Sequence, residues 1–194
     1  MPQMNKGGKF IFGKSLIRTD GTLRIPPQAM EEYHIADEGK VYLFTGSKIT
    51  GGFCVTRKGL LHPSKLGHIL DDTPPLLDYS AGSGEFIKYK GRSYCWVEIS
   101  QEGQILLTKK MMDFLKVRPG MELLSIRSSD IAFTMGAKGP LLEKAENYDG
   151  EIPLFFKCNN FQLCAQLRVC SQAGGIPVYP RFSQPDNSES WDDA

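Results

Sequence analysis

Histidine is scarce in this chain: it occurs three times, at His34, His62 and His68. His62 and His68 stand six apart, not at the i, i+4 spacing that puts two ligands on one helix face. With no Asp, Glu or Cys group at metal-site spacing beside them, they read as residues of a solvated helix. Cysteine is sparse as well, five residues at 54, 95, 158, 164 and 170, odd in number and without a C-x-x-C pair. That argues against a disulfide framework and for a reducing cytoplasm. Cys158, Cys164 and Cys170 recur every six residues, but a fourth thiol or histidine is missing nearby, so buried thiols are a better reading than zinc. No Ser-His-Asp, Cys-His or paired-carboxylate constellation emerges from spacing. The expectation is a protein that is not an enzyme and needs no cofactor. No apolar run has membrane length, and no secretory leader is evident, so a cytoplasmic protein without membrane contact is expected.

Net charge is also small, +1 over 194 residues, so the chain as a whole is no polyanion trap. The charge is unevenly placed. Lys6, Lys9, Lys14, Arg18 and Arg24 open the sequence against a single Asp20, whereas Asp186, Glu189, Asp192 and Asp193 close it without a base. An apolar fraction of 41% with 10% aromatics is enough for one compact domain or two small ones.

The chain does contain a repeat. Ile17-Arg-Thr-Asp-Gly-Thr-Leu-Arg-Ile-Pro26 continues to Ile35-Ala-Asp-Glu-Gly-Lys-Val41. Ile99-Ser-Gln-Glu-Gly-Gln-Ile-Leu-Leu-Thr108 continues to Val117-Arg-Pro-Gly-Met-Glu-Leu123 at a constant offset of 82 residues. Ile17 falls on Ile99, Gly21 on Gly103 and Met30 on Met112 without a gap. A half that cannot fill its own core can fill it against its sibling.

Local signals give each copy the order β-β-α-β-β. In the first, a strand over 10–17 meets the Asp20-Gly21 turn and returns as Thr22–Ile25. Pro26 and Pro27 stop that strand and suit the start of a short helix over 28–33. Strands over 40–44 and 49–56 follow. In the second, strands over 94–99 and 104–107 flank Glu102-Gly103, Thr108 is a natural N-cap for a helix over 109–115, and strands over 122–127 and 131–135 close the unit.

These stretches resemble the AbrB/SpoVT/MraZ/MazE swapped-hairpin superfamily, and the tandem arrangement is most similar to MraZ. The resemblance implies two fused units exchanging strands in a small double-psi-like barrel core, mainly β with short helices. It also implies a prokaryotic transcriptional regulator that binds double-stranded DNA and self-associates as a homo-oligomer. Lys9, Lys14, Arg18, Arg24, Lys109 and Lys110 are the candidate phosphate or base contacts, with lysine and arginine neutralising phosphates. The positions after the turn glycines, basic in DNA-binding members, are Thr22 and Gln104 here, and the helices carry Glu31, Glu32 and Asp113. The competing reading is a scaffold or ligand-sensing module that keeps the fold without DNA.

The organisation expected is a first repeat over 8–57, a linker over 58–92, a second repeat over 93–137, a helix-and-hairpin segment over 138–182 and a disordered acidic stretch over 183–194. The linker reads as a helix over 62–70, a loop over 79–84 and a hairpin about Lys90-Gly91. Gly82-Ser-Gly-Glu85 is a weak phosphate-cradle pattern without the strand, helix or lysine it needs. Beyond a short helix over 141–147, residues 152–156 and 161–169 read as a hairpin, or the second segment as a helix from Asn160 to Gln172.

Overall fold

The computed structural model describes residues 9–156. Cys158, Cys164, Cys170, the 161–169 limb and the acidic stretch from Ser183 lie outside the described residues.

The first unit runs β1 (Ile11–Leu16), β2 (Thr22–Arg24), α1 (Pro27–Tyr33), β3 (Lys40–Thr45) and β4 (Phe53–Thr56). An insertion then supplies α2 (Lys58–Leu61), α3 (His68–Asp71), α4 (Pro74–Leu77) and β5 (Ile87–Tyr89). The second unit is β6 (Arg92–Glu98), β7 (Gln104–Leu106), α5 (Lys109–Leu115), β8 (Glu122–Arg127) and β9 (Phe133–Gly136). Last come α6 (Pro140–Glu146) and β10 (Leu154–Phe155). The protein is thus a mixed α+β fold, mainly strands with short helices.

The pairings follow the repeat. β1 lies antiparallel to β8, with Lys14 opposite Leu124 and Leu16 opposite Glu122. β6 lies antiparallel to β3, with Trp96 opposite Tyr42 and Glu98 opposite Lys40. Each opening strand therefore pairs inside the other unit, and the two registers are equivalent under the 82-residue offset. β2 and β7 form a separate two-stranded ribbon in which Leu23 faces Ile105. β4 and β9 meet with Phe53 opposite Met135.

The main sheet has eight strands in the order β10-β1-β8-β9-β4-β3-β6-β5 and is not closed. β10 and β5 are its edges. One face of the sheet carries Phe12, Val41, Leu43, Val97, Leu123 and Phe133, packed with Leu23 and Ile105 of the ribbon and with Ala29, Met111 and Leu115 of the helices. Burying a side chain of this size contributes roughly 1.5–3 kcal/mol, so neither unit has this core without the other.

The opposite face is covered in two places. The insertion places Leu61, Ile69, Leu70 and Leu76 on Tyr42, Phe44, Tyr94 and Trp96. Ala145 of α6 packs on Ile11, Leu124 and Ile126. Glu38 anchors the insertion by accepting from the backbone N–H groups of Lys58 and Gly59 and from Arg57 Nη1 at 2.7–3.0 Å.

Three expectations need adjusting. Residues 62–70 do not form one helix: α2 has already ended at Leu61, turns occupy 62–67, and helix resumes only at His68 as α3. The strand expected from residue 49 begins at Phe53, since Gly51 and Gly52 both take positive φ, +58° and +59°. The strand expected from residue 131 begins at Phe133. The β5–β6 hairpin about Lys90-Gly91 and the helix after Gly139 form as read.

Candidate nucleic-acid interface

The turn before β2 is built by its own side chains. Asp20 Oδ1 accepts from the Thr22 backbone N–H at 2.9 Å and from the Thr22 hydroxyl at 2.5 Å, an Asx-type turn. These bonds, the hydroxyl's first, hold the Asp20 carboxyl below its ordinary value. Gly21 takes φ +80° and its counterpart Gly103 +76°. The carbonyl of each accepts from the other unit: Leu107 N–H donates to Gly21 O and Ile25 N–H to Gly103 O, both at 2.9 Å. A Cβ on Gly21 would sit 2.3 Å from Leu107 O, so close backbone approach and positive φ both demand glycine there.

The ribbon buries Leu23 and Ile105 and turns Thr22, Arg24, Gln104 and Leu106 outward. Arg24 is the one base among these four, and Leu106 is 53% exposed.

The two helices have the same length and end the same way. His34 and Lys116 both adopt the left-handed conformation, with Ile35 N–H bonding to Met30 O and Val117 N–H to Met112 O in Schellman fashion. They start differently. The Thr108 hydroxyl accepts from Met111 N–H at 3.3 Å, whereas Pro26 precedes α1 and offers no side-chain cap. They also differ in charge. α1 exposes Glu31 and Glu32, the latter bonded to Arg127 at 2.5 Å. α5 exposes Lys109, Lys110, Asp113 and Phe114, and is followed by exposed Lys116 and Arg118.

The six residues expected to contact DNA are therefore dispersed. Lys9 is exposed at the start of the described chain. Lys14, on β1, is held by Glu122 at 3.1 Å. Arg18 lies 3.9 Å from Asp20. Arg24 lines an open pocket of about 380 Å³ whose other walls include Glu31, His34, Asp37 and Glu102. Its Nε is buried without a hydrogen-bond partner. Lys109 and Lys110 stand together on α5, and the structure adds Lys116 and Arg118, which sequence reasoning missed. The signal available for Lys116 was the left-handed residue required after a helix whose last apolar position is Leu115.

Cys54 and Cys95 are both free and buried. Burial raises the Cys95 thiol to about 12 and also raises Cys54, whose Sγ lies 3.3 Å from Thr134 Oγ1. Among the described residues no group of three or more His, Cys, Asp or Glu could hold a metal ion, and no helix is long and apolar enough to cross a membrane.

Compared with known proteins, the chain matches no family model and has no significant match among curated sequences.

Proposed function

We propose that this chain is a DNA-binding regulator of the AbrB/MraZ swapped-hairpin kind, and that duplex DNA meets it through α5 and the turn after it. The observation that carries the reading is the reciprocal pairing of β1 with β8 and β6 with β3, the strand exchange that the family resemblance implies. In this reading the β2–β7 ribbon and the open sheet together make the double-psi-like core, an arrangement supported by Leu23 and Ile105 packing with the sheet residues. The DNA-facing side is supported by Lys109, Lys110, Lys116 and Arg118, all exposed and without an ion pair among the described residues. Arg18, Arg24, Lys14 and Lys9 take subordinate roles.

Four phosphate contacts per chain give a salt slope of about −3 to −4 in log K against log salt, and modest affinity. Fluorescence anisotropy on a mixed-sequence duplex over a salt series tests this. Lys109→Ala with Lys110→Ala should flatten the slope by about two. Binding that is absent at low salt, or unaffected by that pair of changes, retires the proposal.

The pocket beside Arg24 favours a second reading, a ligand-sensing module. Arg24 lines it together with three acidic residues, Glu31, Asp37 and Glu102. A thermal shift produced by a small zwitterion, and lost in Arg24→Met, would favour it.

A further inference from the structure

The second unit carries a surface that the first does not. Lys110 and Phe114 stand four residues apart on the open side of α5 and are neighbours on that face. Phe114 is 47% exposed and stacks on Phe86, ring centroids 4.2 Å apart and planes 22° from parallel. Lys109, Lys116 and Arg118 are exposed around this pair. At the positions equivalent to Lys109, Lys110, Phe114 and Lys116 the first unit has Pro27, Gln28, Glu32 and His34. Duplication therefore supplied the backbone, and only one copy carries an exposed aromatic platform on a helix whose exposed cations, Lys109 and Lys110 with Lys116 and Arg118 after it, outnumber its one exposed carboxylate, Asp113.

A surface of that composition fits an acidic segment that includes a large aromatic. The chain contains one. Asp186-Asn-Ser-Glu-Ser-Trp-Asp-Asp193 places four carboxylates around Trp191, with no base after Arg181. We infer that this segment docks on the α5 face of its own chain, Trp191 against the Phe86–Phe114 stack and its carboxylates against Lys109, Lys110 and Lys116. Length permits it. Trp191 follows the last described residue, Phe156, by 35 positions, a length of chain whose upper limit of reach is roughly 115 Å. The folded body has a radius of gyration of about 15 Å, so the segment reaches any face of it. Tethering supplies an effective concentration in the millimolar range, enough for a weak contact to be populated. Where the DNA reading holds, on which this consequence alone rests, the segment occupies the cations that DNA needs and weakens binding at low salt.

Carbodiimide coupling of the full chain tests docking without any DNA. Peptide mapping should find links within one chain between carboxylates of residues 186–193 and Lys109, Lys110 or Lys116. High salt should suppress them, and so should Trp191→Ser. Links to lysines elsewhere, no links, or links found only in covalent dimers would overturn the inference. A full-chain variant with Asp186→Asn, Glu189→Gln, Asp192→Asn and Asp193→Asn should then bind duplex DNA several-fold more tightly at low salt. Unchanged affinity in a chain that does bind DNA also counts against it. Intramolecular links in a chain that binds no DNA retain the docking and retire only the DNA reading.

Discussion

Leu23 pairs across the ribbon with Ile105, the residue that occupies its own place in the second unit. Phe53 does the same with Met135 across β4 and β9. Two self-equivalent pairs define a pseudo-two-fold axis running from the ribbon to the middle of the sheet. The exchanged strands β1 and β6, with their partners β8 and β3, are arranged about that axis.

The turn glycines are not interchangeable. A Cβ on Gly21 meets the Leu107 carbonyl, part of the backbone, whereas one on Gly103 meets Met30 Sδ at 2.6 Å, the far end of a pliable side chain. Both substitutions to alanine meet the cost of a positive φ, about 1 kcal/mol or more. Gly21→Ala should therefore destabilise by about 2–3 kcal/mol and clearly more than Gly103→Ala in urea unfolding. Equal losses would contradict the carbonyl contact.

The caps make a comparable pair. Thr108→Ala removes the hydroxyl that accepts from Met111 N–H and should cost about 1 kcal/mol. The first unit has no such cap to lose, because Pro26 stands in its place. Restoration by Thr108→Ser, read by chemical denaturation, separates capping from packing.

Asp20 sets an acid-side dependence. Its carboxyl is held below the ordinary value of 3.8 in the folded chain, chiefly by the Thr22 hydroxyl and then by the Thr22 N–H. The stabilisation is therefore present above the unfolded value and disappears as pH falls through the lower folded value. Asp20→Asn should reduce the stability lost between neutral pH and that range, as followed by thermal unfolding at a series of pH values. An unchanged profile would dismiss the Asx turn as a contributor.

Cys95 and Cys54 are buried thiols whose deprotonation burial disfavours. In native protein at mildly alkaline pH both should resist iodoacetamide over the time that urea-unfolded chains react fully, as read by mass spectrometry of the Cys54 and Cys95 peptides. Rapid native labelling of Cys95 would place it in a different environment.

The core of this fold was legible because it was written twice. Asp20-Gly21 and Glu102-Gly103 marked the ribbon turns, Pro26 and Thr108 the helix starts, and the constant offset aligned α1 with α5 residue for residue. What remained hidden depends on contacts between distant segments. Parallel pairing of Leu154 and Phe155 beside Lys14 and Ser15 has no local signature. Neither does the insertion's cover over Trp96, whose indole N–H donates to Ala81 O at 2.9 Å. The basic candidates were read as one population, yet Lys14 is paired with Glu122 and Arg24 lines a pocket with acidic residues. A list of cations in a sequence does not say which of them face a common side.

Fragment complementation tests the exchanged-strand account most directly. A chain divided between the exposed residues Gly82 and Ser83 separates β1 from β8 and β3 from β6. The account predicts that fragments 1–82 and 83–194 each lack cooperative unfolding alone, and that mixing them restores the β-type circular dichroism and single transition of the intact protein. A fragment that folds cooperatively on its own would contradict it.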